Sequence, residues 1–141
     1  MAKSLTKPSF KVFLSYSHKD YETVCTLWFH LTKAGFDVWL DKEKLQPGQN
    51  WKYEIHQAIL ESDIFVVCLS QKFIEQSGFR HQELKIALRK VESLPARKTF
   101  IIPVRFEACE MPKAIQHLHR LDLFEKGGYR KLIQALIRKV E

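Results

Sequence analysis

Short apolar runs alternate with segments of helical periodicity along the chain, and this alternation constrains the fold more than any other feature. Residues 63–69 and 99–105 form apolar runs of the length expected for buried strands. Residues 21–34 and 51–61 instead space their apolar side chains three and four positions apart, as an amphipathic helix does. Strands that alternate with helices predict a parallel sheet covered by helices on both faces.

The order of these segments predicts the topology of the sheet. The predicted strands are residues 11–14, 36–40, 63–69, 99–105 and 118–123, and the predicted helices are residues 21–34, 51–61, 73–91 (with a break near Ser77 and Gly78) and 129–140. The strand number and short connections fit an α/β, flavodoxin-like five-stranded parallel sheet of order 2-1-3-4-5 with helices on both faces. In an open sheet of this kind, ligands bind at the carboxyl ends of the strands.

Length and charge narrow the class of protein. A chain of 141 residues predicts one domain, here residues 10–141, preceded by a polar lead at residues 1–9. The net charge of +7 raises the question of nucleic-acid binding. The basic residues are scattered among acidic neighbours, without a basic run interleaved with aromatic residues, so we expect no nucleic-acid partner. A mildly basic surface favours anionic ligands, dinucleotides included.

The cysteines and the hydropathy pattern predict a cytoplasmic protein without a membrane segment. Cys25, Cys68 and Cys109 are odd in number and widely spaced, which argues against a disulfide framework and a zinc site. Cys68 lies within an apolar run and is predicted to be a small core residue. This cysteine usage suits a reducing compartment. The sequence has neither a signal peptide nor a long apolar span.

Several chemistries known on α/β sheets lack their motifs in this sequence. There is no G-x-G-x-x-G after the first predicted strand, no phosphate-binding loop and no glycine-flanked nucleophilic serine. The third predicted strand ends in Leu69 and Ser70, where a phosphate-accepting receiver would carry an aspartate. The six histidines are dispersed, and no pair or H-E-x-x-H motif indicates a metal.

Glu54 is the residue that these exclusions leave as a candidate. It lies at the edge of the apolar stripe of the helix predicted at residues 51–61, where it can face a cleft without entering the core. Asn50 is the predicted N-cap of this helix. Judged on the residues alone, an ordinary acidic residue favoured by the helix dipole explains Glu54 more simply than catalysis does.

Three short motifs lie where predicted strands meet the segments that follow them. The first is Val-Phe-Leu-Ser-Tyr-Ser at residues 12–17. The second is Trp-Leu-Asp-Lys-Glu-Lys-Leu-Gln-Pro-Gly at residues 39–48, which leads into the helix that carries Glu54. The third is Ser-Gly-Phe-Arg-His-Gln-Glu-Leu at residues 77–84. Each motif alone is weak evidence of a protein family, but their order and spacing together are strong evidence of one.

In this order the motifs resemble the Toll/interleukin-1 receptor (TIR) domain family over nearly the whole chain. Many relatives carry a Trp-Cys pair where this chain has Phe79 and Arg80. The region from residue 102 to residue 124 looks most like microbial members. The resemblance implies the same flavodoxin-like sheet, and in the family the loop at residues 41–50 also touches a neighbouring subunit.

The resemblance also implies an activity. Many TIR domains cleave NAD⁺ between nicotinamide and ribose, which yields nicotinamide and ADP-ribose or a cyclic ADP-ribose variant. Glu54 is taken as the match to their catalytic glutamate. A carboxylate can stabilise the oxocarbenium-like sugar, and nicotinamide leaves as a neutral molecule, so no general acid is needed. NAD⁺ is then the substrate, and no cofactor is expected.

A set of predicted substrate-binding residues follows from the same resemblance: Tyr16, Ser17, Asp41, Glu43, Lys44 and Trp51. Relatives often have an arginine at Ser17 or the next position, which leaves phosphate contact from this turn open. Lys44 could meet a phosphate or stay solvated. Trp51 could stack on a base or anchor its helix, and the anchor is slightly favoured because it lies on the apolar stripe. Glu83 is expected to be structural, bonding backbone near the loop.

Two functions from different classes remain. The first is a TIR-domain NAD⁺ hydrolase or cyclase that is activated when TIR domains self-associate, with a setting in microbial immunity. Its regulation would come from a sensor domain or partner protein outside this chain. The second is a non-catalytic TIR adaptor that acts through TIR–TIR contacts in signalling, and a virulence-type TIR domain that interferes with host signalling would look the same.

Overall fold

The computed structural model describes residues 10–40, 45–76 and 79–140, without the side chains of residues 79 and 80. The polar lead predicted at residues 1–9 lies outside the described residues. The helix break predicted near Ser77 and Gly78 lies outside them as well.

Five parallel strands form one sheet of order β2-β1-β3-β4-β5, which confirms the predicted topology. The strands are β1 (Lys11–Ser15), β2 (Asp37–Trp39), β3 (Ile64–Leu69), β4 (Ile101–Arg105) and β5 (Leu121–Asp122). All six residues of the central strand β3 are buried. The two edge strands are shorter than predicted. An edge strand is hydrogen-bonded on one side only, so its ladder ends sooner than the apolar run does.

The helices connect and cover the strands. They are α1 (Tyr21–Lys33), α2 (Trp51–Glu61), α3 (Gln71–Glu75), α4 (Phe79–Glu92) and α5 (Gly128–Val140), with 3₁₀ turns at His18–Asp20 and Lys113–Ile115. The bounds of α2 agree with the prediction, and Asn50 is its N-cap: the Asn50 side chain accepts the Tyr53 N–H at 3.3 Å. Helix α3 begins before the predicted position because Ser70 caps it and accepts the Phe73 N–H at 3.1 Å.

Each face of the sheet buries its own apolar cluster. Leu14 and Val66 face the side of α1 and α5, where they pack with Leu27 and Leu132. The other face, covered by α2, α3 and α4, carries a row of aromatic rings. Phe13 lies 5.3 Å from Phe65 and 6.4 Å from Trp39 between ring centres, with interplanar angles of 6° and 10°. The row crosses β3, β1 and β2 and ends at the edge of the sheet.

Two apolar residues of the amphipathic helices are exposed. Trp28 is 37% exposed, because it lies on the flank of the stripe formed by Val24, Leu27 and Leu31 rather than at its centre. Val140 is 41% exposed at the last position of α5, although Leu132 and Leu136 on the same face are fully buried. The buried stripe of each helix is therefore narrower or shorter than its apolar sequence pattern.

Candidate functional site

Glu54 and Glu83 lie at two different places in the described part of the structure. The first is a groove of about 390 Å³ between α2 and the strands β1 and β2, which we call the edge groove. Its lining residues are Lys11, Val12, Asp37, Trp39, Tyr53, Glu54, Gln57, Ala58, Glu61 and Ser62.

Glu54 lies in the first turn of α2 and is half-buried in the edge groove, which Trp39 also lines. The groove continues along α2 towards Lys11 and Asp37, which begin their strands. Much of the groove therefore faces the amino ends of β1 and β2, away from the end at which open α/β sheets bind ligands. The position of Glu54 agrees with its predicted place at the edge of the apolar stripe of α2. The catalytic role of Glu54 stays a prediction.

The second place is a polar cluster at the carboxyl ends of β1 and β3, which we call the carboxyl-end cluster: Ser15, Asp20, Ser70 and Glu83. The Ser15 hydroxyl donates to Glu83 Oε1 at 2.7 Å, and the Ser70 hydroxyl donates to Asp20 Oδ2. Ser15, Ser70 and Glu83 are at most 1% exposed. β1 and β3 are the pair between which the strand order reverses, the usual ligand position in this sheet.

The charges of both carboxylates of this cluster act on Cys68, the penultimate residue of β3. Burial raises the pKa of the Cys68 thiol above its ordinary range, and the negative charges of Asp20 and Glu83 raise that pKa further. Both carboxylates therefore act on one buried sulfur atom at the end of β3. A developing positive charge near this position would be stabilised by the same field.

Tyr16 and Ser17 follow Ser15 directly and are buried. The Tyr16 ring packs against His18 and Tyr21 at 5.8 and 6.4 Å between ring centres. Ser17 caps the 3₁₀ turn, and its hydroxyl accepts the Lys19 N–H at 3.2 Å. Neither of them lines the edge groove. The structure thus places these predicted substrate-binding residues beside the carboxyl-end cluster and not beside Glu54.

Trp51 is 40% exposed, and the Lys52 ammonium lies 5.6 Å from the centre of its ring. Trp51 is therefore not buried on the apolar stripe of α2, and its role as an anchor or a stacking residue stays a prediction. Trp51 is the first residue of α2, and the helix packs on the sheet only from Ile55 onward. Trp51 is not among the residues that line the edge groove. Asp41, Glu43 and Lys44 lie outside the described residues.

Glu83 was predicted to be a structural residue, and Trp39 was given no role in the predicted site. Glu83 is buried, as a structural residue would be, and it accepts a hydrogen bond from the Ser15 hydroxyl at 2.7 Å. Its spacing from Leu84 and Ala87 is the signal that places it on the buried side of α4. Trp39 alternates with the buried Val38 along β2, and this period of two directs the Trp39 ring to the α2 face.

In the described ranges, no group of three or more His, Cys, Asp or Glu side chains is arranged to hold a metal ion. None of the helices described has both the length and the apolar character needed to cross a bilayer.

The sequence model of the TIR domain matches residues 12–137, and the chain belongs to the TIR-domain family. The fold and the order of the motifs agree with this membership. Among solved structures, the TIR domain of the Toll-related receptor TRR-2 from Hydra magnipapillata superposes with a TM-score of 0.74 and 27% sequence identity. That superposition covers 89% of this chain and 97% of the Hydra chain.

Two curated microbial proteins are similar in sequence. An uncharacterized Sinorhizobium fredii protein, y4cD, is 29% identical over 118 residues, which are 81% of this chain. A probable 2′ cyclic ADP-D-ribose synthase, TcpO of Methanobrevibacter olleyae, is 31% identical over 81 residues, which are 57% of this chain. The matched regions span only 18% and 24% of the lengths of these two relatives.

Proposed function

We propose that this chain is a TIR-domain enzyme that cleaves the nicotinamide–ribose bond of NAD⁺ and yields nicotinamide with ADP-ribose or a cyclic ADP-ribose variant. Membership of the TIR-domain family supports the proposal, as does the similarity to a probable 2′ cyclic ADP-D-ribose synthase. NAD⁺ is a substrate in this reaction, and the proposal involves no cofactor and no metal.

The observation that carries the proposal is the buried Glu83 carboxylate at the carboxyl ends of β1 and β3. Cleavage of the bond leaves positive charge on the ribose, and a carboxylate stabilises that charge more strongly where water is excluded. Nicotinamide departs as a neutral molecule, so one carboxylate suffices where a glycosidase needs two. The Ser15 hydroxyl holds one oxygen of Glu83 and so fixes the orientation of the group.

Glu54 and Glu83 thus compete for the catalytic role. Glu54 was the prediction from the resemblance, and it lines a groove of about 390 Å³ beside Trp39. Geometry favours Glu83, because it lies at the strand ends beside Tyr16 and Ser17, whereas the groove at Glu54 extends towards the amino ends of the strands. In this proposal Glu54 contacts the substrate and Glu83 stabilises the charge.

Matched variants of the two glutamates test the proposal. Concentrated wild-type protein, Glu54→Gln and Glu83→Gln are incubated with NAD⁺ and a crowding agent, and nicotinamide is measured by chromatography. We expect release by the wild type, a loss of about 10²–10³-fold in Glu83→Gln, and a smaller loss in Glu54→Gln. The reverse order would assign catalysis to Glu54. Circular dichroism of each variant checks that it folds.

We also propose that activity depends on contacts between TIR domains. The proposed location is the cytoplasm, and the proposed setting is microbial immunity. A sensor domain or partner protein would supply the trigger. The rate per molecule should then rise with protein concentration. A rate per molecule that is independent of concentration contradicts the assembly requirement. A wild type that releases no nicotinamide at any concentration, with or without the crowding agent, favours the adaptor function.

A further inference from the structure

The Lys90 side chain joins two helices. Lys90 belongs to α4, and its ammonium donates to the carbonyl oxygens of Leu60 and Ser62 at 2.5 and 2.6 Å. These carbonyls lie at the carboxyl end of α2. The same ammonium lies 4.3 Å from the centre of the Phe100 ring, which supports it from the sheet. One side chain therefore contacts α2, α4 and the residue that precedes β4.

A cation at the carboxyl end of α2 satisfies backbone carbonyls that the helix itself leaves without partners. The last carbonyls of a helix have no partner within the helix and carry the negative end of its dipole. Helix α2 has no basic residue in its own last turn. The Ser62 hydroxyl satisfies the Ala58 carbonyl at 2.6 Å, and Lys90 supplies the remaining positive charge from another helix.

The surroundings of Lys90 disfavour its charged form, so this contact differs from an exposed surface ion pair. Burial lowers the pKa of the Lys90 ammonium, the nearby Lys98 lowers that pKa further, and Asp63 partly opposes both. The charge is retained in a place that disfavours it, against two backbone carbonyls and a ring. A tether of this kind fixes position, since the acceptors are backbone atoms that move only with the helix.

Helix α2 packs along α4 and on β1. Of its 11 residues, only Ile55 and Ile59 are buried, one turn apart. Both are apolar contacts on one stripe, and neither side chain satisfies the carbonyls at the end of the helix. Lys90 adds a third point at the helix end, six residues or about 9 Å along the axis from Glu54.

We propose that Lys90 is a positioning residue: by tying the end of α2 to α4, it sets the place of Glu54 relative to the carboxyl-end cluster that holds Glu83. The positional part of the proposal, that Lys90 fixes the place of α2, is argued from the contacts alone. The catalytic part, that this place affects turnover, rests on the proposed NAD⁺ cleavage. Lys90 touches neither carboxylate and acts only through the two helices.

Lys90→Met tests the proposal, because methionine keeps an apolar stem over Phe100 and removes the charge and the donors. Lys85→Met is the matched control: it makes the same change on the same helix at an exposed side chain. Hydrogen exchange should accelerate at least tenfold along α2, including the turn of Glu54, in Lys90→Met and should stay unchanged in α5. The control should match the wild type, and Lys90→Arg should recover part of the protection.

Activity gives the second readout. Lys90→Met should lower kcat/KM about 10-fold and by no more than Glu54→Gln does, since Lys90 acts through the position of Glu54. Equal α2 exchange in Lys90→Met and Lys85→Met would overturn the proposal. A wild type without NAD⁺ cleavage would remove only the catalytic part, because exchange decides the positional part independently. Lys90→Gln replaces Lys90→Met in both measurements if the latter does not fold.

Discussion

Arg105 and Asp122 form a bidentate ion pair between β4 and β5. Arg105 Nε and Nη2 donate to the two Asp122 oxygens at 2.7 and 2.9 Å, and Nη1 donates to the Cys109 carbonyl at 2.8 Å. Both side chains are less than 15% exposed, and the residues are register partners of β4 and β5. The pair therefore reinforces a two-residue edge strand that backbone bonds alone hold weakly.

Asp122→Asn should lower the free energy of unfolding by about 2 kcal/mol at pH 7, because it removes a charge-assisted bidentate contact. Urea denaturation measures the change. Glu125→Gln, at an exposed carboxylate in the next turn, is the control and should cost less than about 0.5 kcal/mol. Equal costs in the two variants would show that the ion pair adds nothing to stability.

Acid should remove the difference between the wild type and Asp122→Asn. The hydrogen bond from Arg105 holds the pKa of Asp122 below its ordinary value. The stabilisation is then complete above the ordinary carboxyl pKa of about 4 and is lost as pH falls through the lower pKa of the folded state. Denaturation curves at several pH values between 7 and 2 measure this. A difference that persists unchanged at pH 2 would contradict the assignment.

At the scale of elements, the start of α5 depends on the absence of a side chain at Gly128. A Cβ at this position would lie 2.4 Å from the Leu123 carbonyl oxygen, which is backbone and cannot move aside freely. Gly127 beside it has a φ of +77° and open space around the Cβ position. Gly128 is required because a side chain there would clash with backbone, and Gly127 is required because its φ is positive.

Gly128→Ala should therefore destabilise the protein by about 3 kcal/mol, as overpacking does, and should displace α5 from β5. Gly127→Ala, with strain but no clash, should cost about 1 kcal/mol. Thermal denaturation of both variants under the same conditions gives the comparison. A larger loss in Gly127→Ala than in Gly128→Ala would mean that α5 adapts its position to admit the methyl group.

The elements also show what the sequence could and could not predict. Helix α2 was predicted with its bounds and its cap, because Asn50 and the apolar spacing that follows are local signals. The buried position of Glu83 against Ser15 was not predicted, since the two residues are 68 positions apart and only the packing of α4 on the sheet joins them. The exposure of Trp51 was not predicted, because a helical wheel does not say where along its length a helix meets the sheet.

At the scale of the whole molecule, the three cysteines differ in how deeply they are buried. Cys25 and Cys109 are half-buried and Cys68 is fully buried in the central strand. Burial raises the pKa of Cys109 and raises that of Cys68 much further. The free thiol, which is the less reactive form, therefore dominates at Cys68 in the folded protein.

Cys68 should react with a thiol reagent only as fast as the whole sheet opens, whereas Cys25 and Cys109 should react in the native state, with Cys109 the slower. A Cys25→Ser/Cys109→Ser variant isolates the Cys68 reaction, and added urea should accelerate it in step with global unfolding. Rapid native-state labelling of Cys68 in that variant would mean that the sheet opens locally around β3.

The stacked row of Trp39, Phe13 and Phe65 has a spectroscopic consequence. Nearly parallel rings held rigidly at 5.3 and 6.4 Å couple their electronic transitions, so the row should give a near-ultraviolet dichroic band of its own. Trp39 closes this row at the wall of the edge groove. A molecule that enters the groove and tilts the indole would alter the band without a label, so occupancy of the groove could be followed optically and apart from any chemical turnover.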